Sequence, residues 1–301
     1  MLRIGVILPG VEAQARQGLS VAAAARHAEA AGLDGVWHGD HLATGAPTLD
    51  ATVVLAAAAA VTTRVMVGVS VFVPAIRPLA WAAKQVASLQ HVSGGRLVLG
   101  VGSGGGPAQW AAAGVPYRER GRRTDAALTL LPRLLAGERV VLPDEPGRPP
   151  VTLAPAVAPP PVWVGNASPA AIARAARFGD GWFPSMVLPE VVGAGRAEVA
   201  AAAAGHGRPV PTVCVGVAAA LGRDAGIPTR AEIGAPIGRA YGIAPEVAVQ
   251  LPVTGTPAEA AMRLARYAEA GATDVVAGIA AGDWRRQCDL LAETRALLDR
   301  R

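Results

Sequence analysis

The chain has 301 residues, 51% hydrophobic and only 17% charged, so it can bury a large core and is not a disordered chain. Its net charge of +5 does not mark a nucleic-acid binder, because Lys84 is the only lysine and the arginines are scattered. Two isolated cysteines, Cys214 and Cys288, make neither a disulfide framework nor a zinc site, and no stretch reaches the ~20 apolar residues of a membrane span. A soluble cytoplasmic enzyme with a small-molecule partner and no bound metal is the expectation.

Apolar runs of strand length alternate with alanine-rich helical segments. The first run, Leu2 to Leu8, stops at Pro9 and Gly10, and a helix follows from about Ser20 to Ala31. Next come the strand Gly35 to His38, a helix from Leu49 to Val61, the strand Val65 to Phe72, and a helix from Leu79 to His91. The fourth strand, Arg96 to Val101, has its helix delayed until about Glu119, running to Ala136. Val140 to Pro161 is proline-rich and reads as an excursion.

The fifth strand, Val162 to Val164, leads into a helix opened by Ser168 and Pro169. Asp180 to Phe183 is a short sixth strand, followed by a helix from Pro189 to Ala204. Val213 to Ala219 is the seventh, and residues 222–256 read as a variable insertion after it. A helix from Pro257 to Ala270, the strand Thr273 to Ala277 and a helix from Asp283 to Leu298 complete the pattern. Eight such units, with strands that are continuous apolar runs instead of alternating ones, argue for a (β/α)8 TIM barrel spanning 1–301 as one domain.

In such a barrel the chemistry lies at the C-terminal ends of the strands. After the second strand stands Trp37-His38-Gly39-Asp40-His41, an acid beside a histidine, which offers a proton carrier and a charge to tune it. After the fourth, Gly100-Val101-Gly102-Ser103-Gly104-Gly105-Gly106 satisfies GxGxxG. The dinucleotide reading fails because Gly106-Pro107 continues as loop and the motif sits on the fourth unit instead of the first. Backbone kept free of side chains, so that a flat ring or phosphate can approach, is the better reading. After the fifth, Gly165-Asn166-Ala167-Ser168 precedes a helix N-terminus able to bind phosphate, although ordinary capping produces the same residues. Trp37, Phe72, Trp110, Trp182 and Phe183 lie near strand ends, so an apolar pocket is expected, while core packing explains the same aromatics.

Further signatures run through the chain: Asp34-Gly35-Val36-Trp37 to Asp40-His41-Leu42, Thr63-Arg64-Val65 to Gly68, and Ser93-Gly94-Gly95-Arg96 to Gly102. Pro161-Val162-Trp163-Val164-Gly165, Phe178-Gly179-Asp180-Gly181-Trp182 and Thr254-Gly255-Thr256-Pro257 continue them in order. Together they resemble the luciferase-like monooxygenase family, particularly its branch using the deazaflavin coenzyme F420.

The resemblance implies that Asp40 and His41 form an acid–histidine pair beside the cofactor ring, with His41 the group for proton chemistry. It implies that Ser70 and Val71 carry a non-proline cis peptide behind the ring. Gly102, Ser103 and Gly104 would line the ring, and Gly165, Asn166, Ala167 and Ser168 would hold the cofactor phosphate. Relatives are commonly homodimers. One position departs from the family: where some deazaflavin dehydrogenases have a glutamate, this chain has Gly105, which argues against a sugar-phosphate substrate. Hydride transfer between F420 and a small organic substrate is the expected reaction. The alternatives are an FMN-dependent monooxygenase, a non-catalytic flavin-binding relative, and an unrelated barrel enzyme acting on a phosphorylated metabolite.

Overall fold

The computed structural model describes residues 1–300. The chain runs through β1 (Arg3–Ile7), α1 (Val11–Gln17), α2 (Val21–Ala30), β2 (Gly35–His38), α3 (Ala51–Ala59) and β3 (Met66–Phe72). It continues with α4 (Leu79–Val92), β4 (Leu97–Val101), α5 (Pro107–Ala112) and α6 (Arg120–Leu135), then a hairpin of β5 (Val140–Val141) and β6 (Pro150–Val151). There follow β7 (Val162–Gly165), α7 (Pro169–Phe178), β8 (Gly181–Phe183), α8 (Pro189–Gly205) and β9 (Thr212–Leu221). The chain closes with α9 (Arg230–Tyr241), α10 (Pro245–Ala248), β10 (Val253–Gly255), α11 (Pro257–Glu269), β11 (Asp274–Ile279) and α12 (Trp284–Leu298).

Parallel pairing links β1, β2, β3, β4, β7, β8, β9 and β11 in turn, and β11 returns to β1. This is the expected (β/α)8 barrel. At the closing seam the Arg3 guanidinium donates to both Asp274 oxygens, at 2.7 and 2.8 Å. The helix starts that the sequence marked are capped as their residues require: Ser20, Asp50, Ser168, Thr256 and Asp283 each accept backbone N–H groups of the first turn.

Four helices were not anticipated: α1, α5 and, within the insertion, α9 and α10. The seven residues of α1 bury none of their side chains, and α5 is six residues long with only Trp110 buried, so neither writes an apolar stripe into the sequence. The second corrects an expectation, since Gly106 is the N-cap of a helix that begins at Pro107. The dinucleotide reading now fails on the remaining ground, the place of the motif on the fourth strand. Within residues 222–256 the chain forms α9 and α10 and returns through β10, which adds to the C-terminal end of β9.

Alternation along β2 explains the core. Val36 points outward to the helix layer, while Trp37 points into the lumen. There it stacks on Trp163 at 5.4 Å, and Phe183 meets it edge-on at 5.6 Å. A Cβ at Gly68 would overlap the Trp37 ring, so only glycine fits on the neighbouring strand. Of the five aromatics expected near the pocket, Phe183 alone lines it; Phe72 and Trp182 join the helix-facing core and Trp110 a smaller cluster.

Candidate functional site

At the C-terminal ends of the strands lies a cleft of about 440 Å³. Asp40 and His41 enter it after β2, and Ser70, Val71 and Val73 from the end of β3 and just beyond it. Gly102 to Gly105 follow β4, and Gly165 to Ala167 come from the end of β7 and just beyond it. Phe183, Ser185, Met186 and Val187 add one wall, and Tyr241 and Ile243, at the end of α9 and just after it, add another. The structure thus gathers every expected site residue except Ser168. That hydroxyl accepts the Ala171 N–H, and the Ser168 N–H donates to Asn166 Oδ1 at 2.8 Å, so Ser168 caps α7 beside the cleft.

The Ser70–Val71 peptide is cis. The Val71 side chain packs on the lumen aromatics and forms the floor of the cleft. A Cβ at Gly102 would stand 2.5 Å from Val71 Cγ2, and one at Gly165 2.9 Å from Cγ1. These two glycines therefore make room for Val71, which refines the expectation that they expose backbone to a ligand. Gly104 is different: its φ of +73° is a left-handed conformation that favours glycine. Ser70 Oγ is buried beside the floor and has no partner among the described residues.

His41 lies at the rim, exposed, its ring folded over Gly39, where a Cβ would come within 3.0 Å of Nε2. Asp40 is arranged otherwise than its neighbour suggested. Its buried carboxylate accepts from Arg77 Nη2 at 2.8 and 2.9 Å and from the Val73 N–H at 2.9 Å, with no hydrogen bond to His41. Arg77 also lies over the Phe72 ring, 4.5 Å from its centroid. The lone charge in the apolar run from Val71 to Ala83 was the available signal for Arg77, and the sequence reading passed over it.

Other contributors had weaker signals. Gln109 of α5 accepts the Leu42 N–H at 2.9 Å, tying the glycine loop's helix to the segment after His41. His38 ends β2 with Nδ1 buried and unpartnered. Burial pushes its imidazole below the usual histidine range and the His41 charge acts the same way, against the Leu49 backbone, Asp50 and Asp40. Met186 and Asn166 both line the cleft with positive φ, 54° and 85°.

An eight-stranded parallel barrel with its cleft at the strand C-termini is an architecture of enzymes. The sequence model of the luciferase-like monooxygenase family matches residues 3–227, and the chain belongs to that family. An uncharacterized protein of Mycobacterium tuberculosis is 39% identical over 140 residues, 46% of this chain and 48% of that protein. The F420-dependent glucose-6-phosphate dehydrogenase of Beutenbergia cavernae is 37% identical over 165 residues, 52% of this chain and 49% of that enzyme. The chain thus matches about half the length of these relatives. Among solved structures, an F420-dependent secondary alcohol dehydrogenase with an F420-acetone adduct superposes with a TM-score of 0.81. It is 18% identical and covers 99% of each chain, a likeness of fold.

Proposed function

We propose that this chain is an F420-dependent oxidoreductase that passes hydride between the deazaflavin ring and a small organic substrate. The carrying observation is the floor of the cleft: Val71, given room by Gly102 and Gly165 and packed on the stacked lumen aromatics. A flat ring fits such an apolar floor. The F420-dependent names of curated relatives support the choice of cofactor.

When bound, the coenzyme would supply the hydride chemistry. The chain's own residues bind and orient. Ser70, Val71 and the loop Gly102, Ser103 and Gly104 would hold the ring, and Gly165, Asn166 and Ala167 would hold its phosphate-bearing side. Ser168 contributes by fixing α7. His41 at the rim would carry the proton, and Asp40, locked to Arg77, would fix the backbone that presents it. Val73, Met186, Val187, Tyr241 and Ile243 give the substrate a largely apolar wall without a cation to receive a phosphate. A cytoplasmic setting suits the buried free thiols of Cys214 and Cys288.

The monooxygenase name of another curated relative and an FMN-bound monooxygenase among the similar folds support a second reading, an FMN-dependent monooxygenase. Titrating the purified chain with F420 and with FMN, followed by visible absorbance, separates the two. Tight F420 binding with weak FMN binding supports the proposal; the reverse order replaces it. His41→Ala is expected to cut turnover by about 10²-fold or more with cofactor binding retained, and unchanged turnover would remove His41 from its role.

A further inference from the structure

We propose that Arg230 and Arg263 form a binding site for a phosphate dianion on the outer side of the cleft wall. The site joins the first residue of α9 to the second turn of α11. Two bonds set α11 against the segment after β8. The Tyr267 hydroxyl donates to the Val187 carbonyl at 2.8 Å, and Arg266 Nη2 to Glu190 Oε1 at 2.5 Å. Val187 lines the cleft, whereas none of these arginines does.

Arg263 is the unusual member. It is half-buried, its Nε is enclosed without a partner, and it makes no hydrogen bond among the described residues. Arg208 and Arg295 also have an unpartnered Nε, yet each donates to a carbonyl through a terminal nitrogen, at 2.9 and 3.2 Å. Burying an unpaired cation is costly, and a native protein commonly satisfies such a group with an ion or water. The neighbours of Arg263 deepen that cost. Burial holds its pKa below the ordinary arginine value, and Arg230 and Arg266 push the same way, against Tyr267 and Glu190.

The acids within reach are already taken. Glu259 stands four residues before Arg263, the spacing at which a glutamate pairs with an arginine along a helix. Instead, one of its oxygens accepts from Arg223 at 2.6 Å. The other accepts the Thr256 N–H at 2.7 Å and hydroxyl at 3.0 Å. Glu190 is held by Arg266. Arg230 has no ion pair either; its Nε donates to Thr254 Oγ1 at 3.2 Å. Four arginines thus share two carboxylates, and the two left over, Arg230 and Arg263, repel one another from different helices. Their two surplus charges match those of a phosphate dianion, whose oxygens accept from guanidinium groups in pairs. A single carboxylate would leave one charge unmet.

Such an ion would pin the start of α9 to α11, and the far end of α9 carries Tyr241 to the cleft. The site stands apart from the choice of cofactor.

Calorimetric titration of the full chain with inorganic phosphate at constant ionic strength tests it. One phosphate per chain is expected, with Arg263→Met and Arg230→Gln each weakening it by at least about ten-fold. Arg16→Gln, on α1, is expected to leave binding unchanged. Glycerol phosphate separates two sources of the group: binding at least about ten-fold tighter assigns a phosphate carried by an organic molecule, and equal or weaker binding a free ion. Thermal melts give a second readout. Without phosphate, Arg263→Met is expected to melt at or above the wild type, since the crowding of like charges is relieved; with phosphate the order reverses. Absence of phosphate binding, binding indifferent to both substitutions, or equal weakening by Arg16→Gln would each overturn the proposal. An Arg263→Met protein that misfolds, or melts below the wild type without phosphate, would overturn it equally by making Arg263 a structural residue.

Discussion

A single guanidinium nitrogen of Arg77 reaches both carboxylate oxygens of Asp40, at 2.8 and 2.9 Å, across 37 positions of sequence. The Asp40 side chain is 4% exposed and that of Arg77 18%, so the pair sits largely out of water. Removing one partner of such a pair leaves the other charge buried and alone.

Arg77→Met is therefore expected to destabilise the chain by about 3 kcal/mol. Adding Asp40→Asn to it should cost less than the two separate losses combined. Urea denaturation of the four proteins measures this coupling, and strict additivity would deny that the pair acts as a unit.

Gly102→Ala places a Cβ 2.5 Å from Val71 Cγ2. Overpacking of this kind costs about 1–3 kcal/mol, and displacement of Val71 is expected to weaken cofactor binding as well. The double variant Gly102→Ala/Val71→Ala removes the opposing methyl groups and is expected to regain stability. Thermal melts with cofactor titrations check both effects.

Gly68→Ala is expected to be more damaging. The Trp37 ring it would strike is 1% exposed and stacked between neighbours, with nowhere to move. A loss above about 3 kcal/mol, or failure to accumulate as soluble protein, is the expected result. Expression yield and urea midpoints test it.

His38 supplies a pH prediction. Its folded pKa lies below the ordinary value of 6.5, so on acidification the unfolded chain takes up a proton before the folded chain does. The His38 contribution to stability is therefore complete above pH ~6.5 and is lost as pH falls through that value toward the lower folded pKa. His38→Gln is expected to flatten the melting temperature between pH 7 and 5. Parallel slopes for variant and wild type would contradict this.

Much of the barrel was legible because its signals are local. Ser20, Asp50 and Ser168 stop one element and start the next through hydrogen bonds reaching three residues, and the apolar runs that became strands are buried on both faces. What escaped depends on distance. Nothing beside Asp40 reveals that its carboxylate turns to Arg77, or that Gly102 and Gly165 stand aside for Val71 from two other strands. Tyr241 and Ile243 reach the cleft only because α9 folds back over the mouth, and no spacing in the sequence records that return. The positions of the cleft were readable from strand ends; the direction each side chain takes was set by neighbours far along the chain.

The stacked indoles of Trp37 and Trp163 under Val71 give the protein an optical reporter. A chromophore settling on that floor alters the surroundings of two emitters that solvent does not reach. Intrinsic fluorescence can then follow occupancy of the cleft directly, in the unlabelled chain, before any substrate is known.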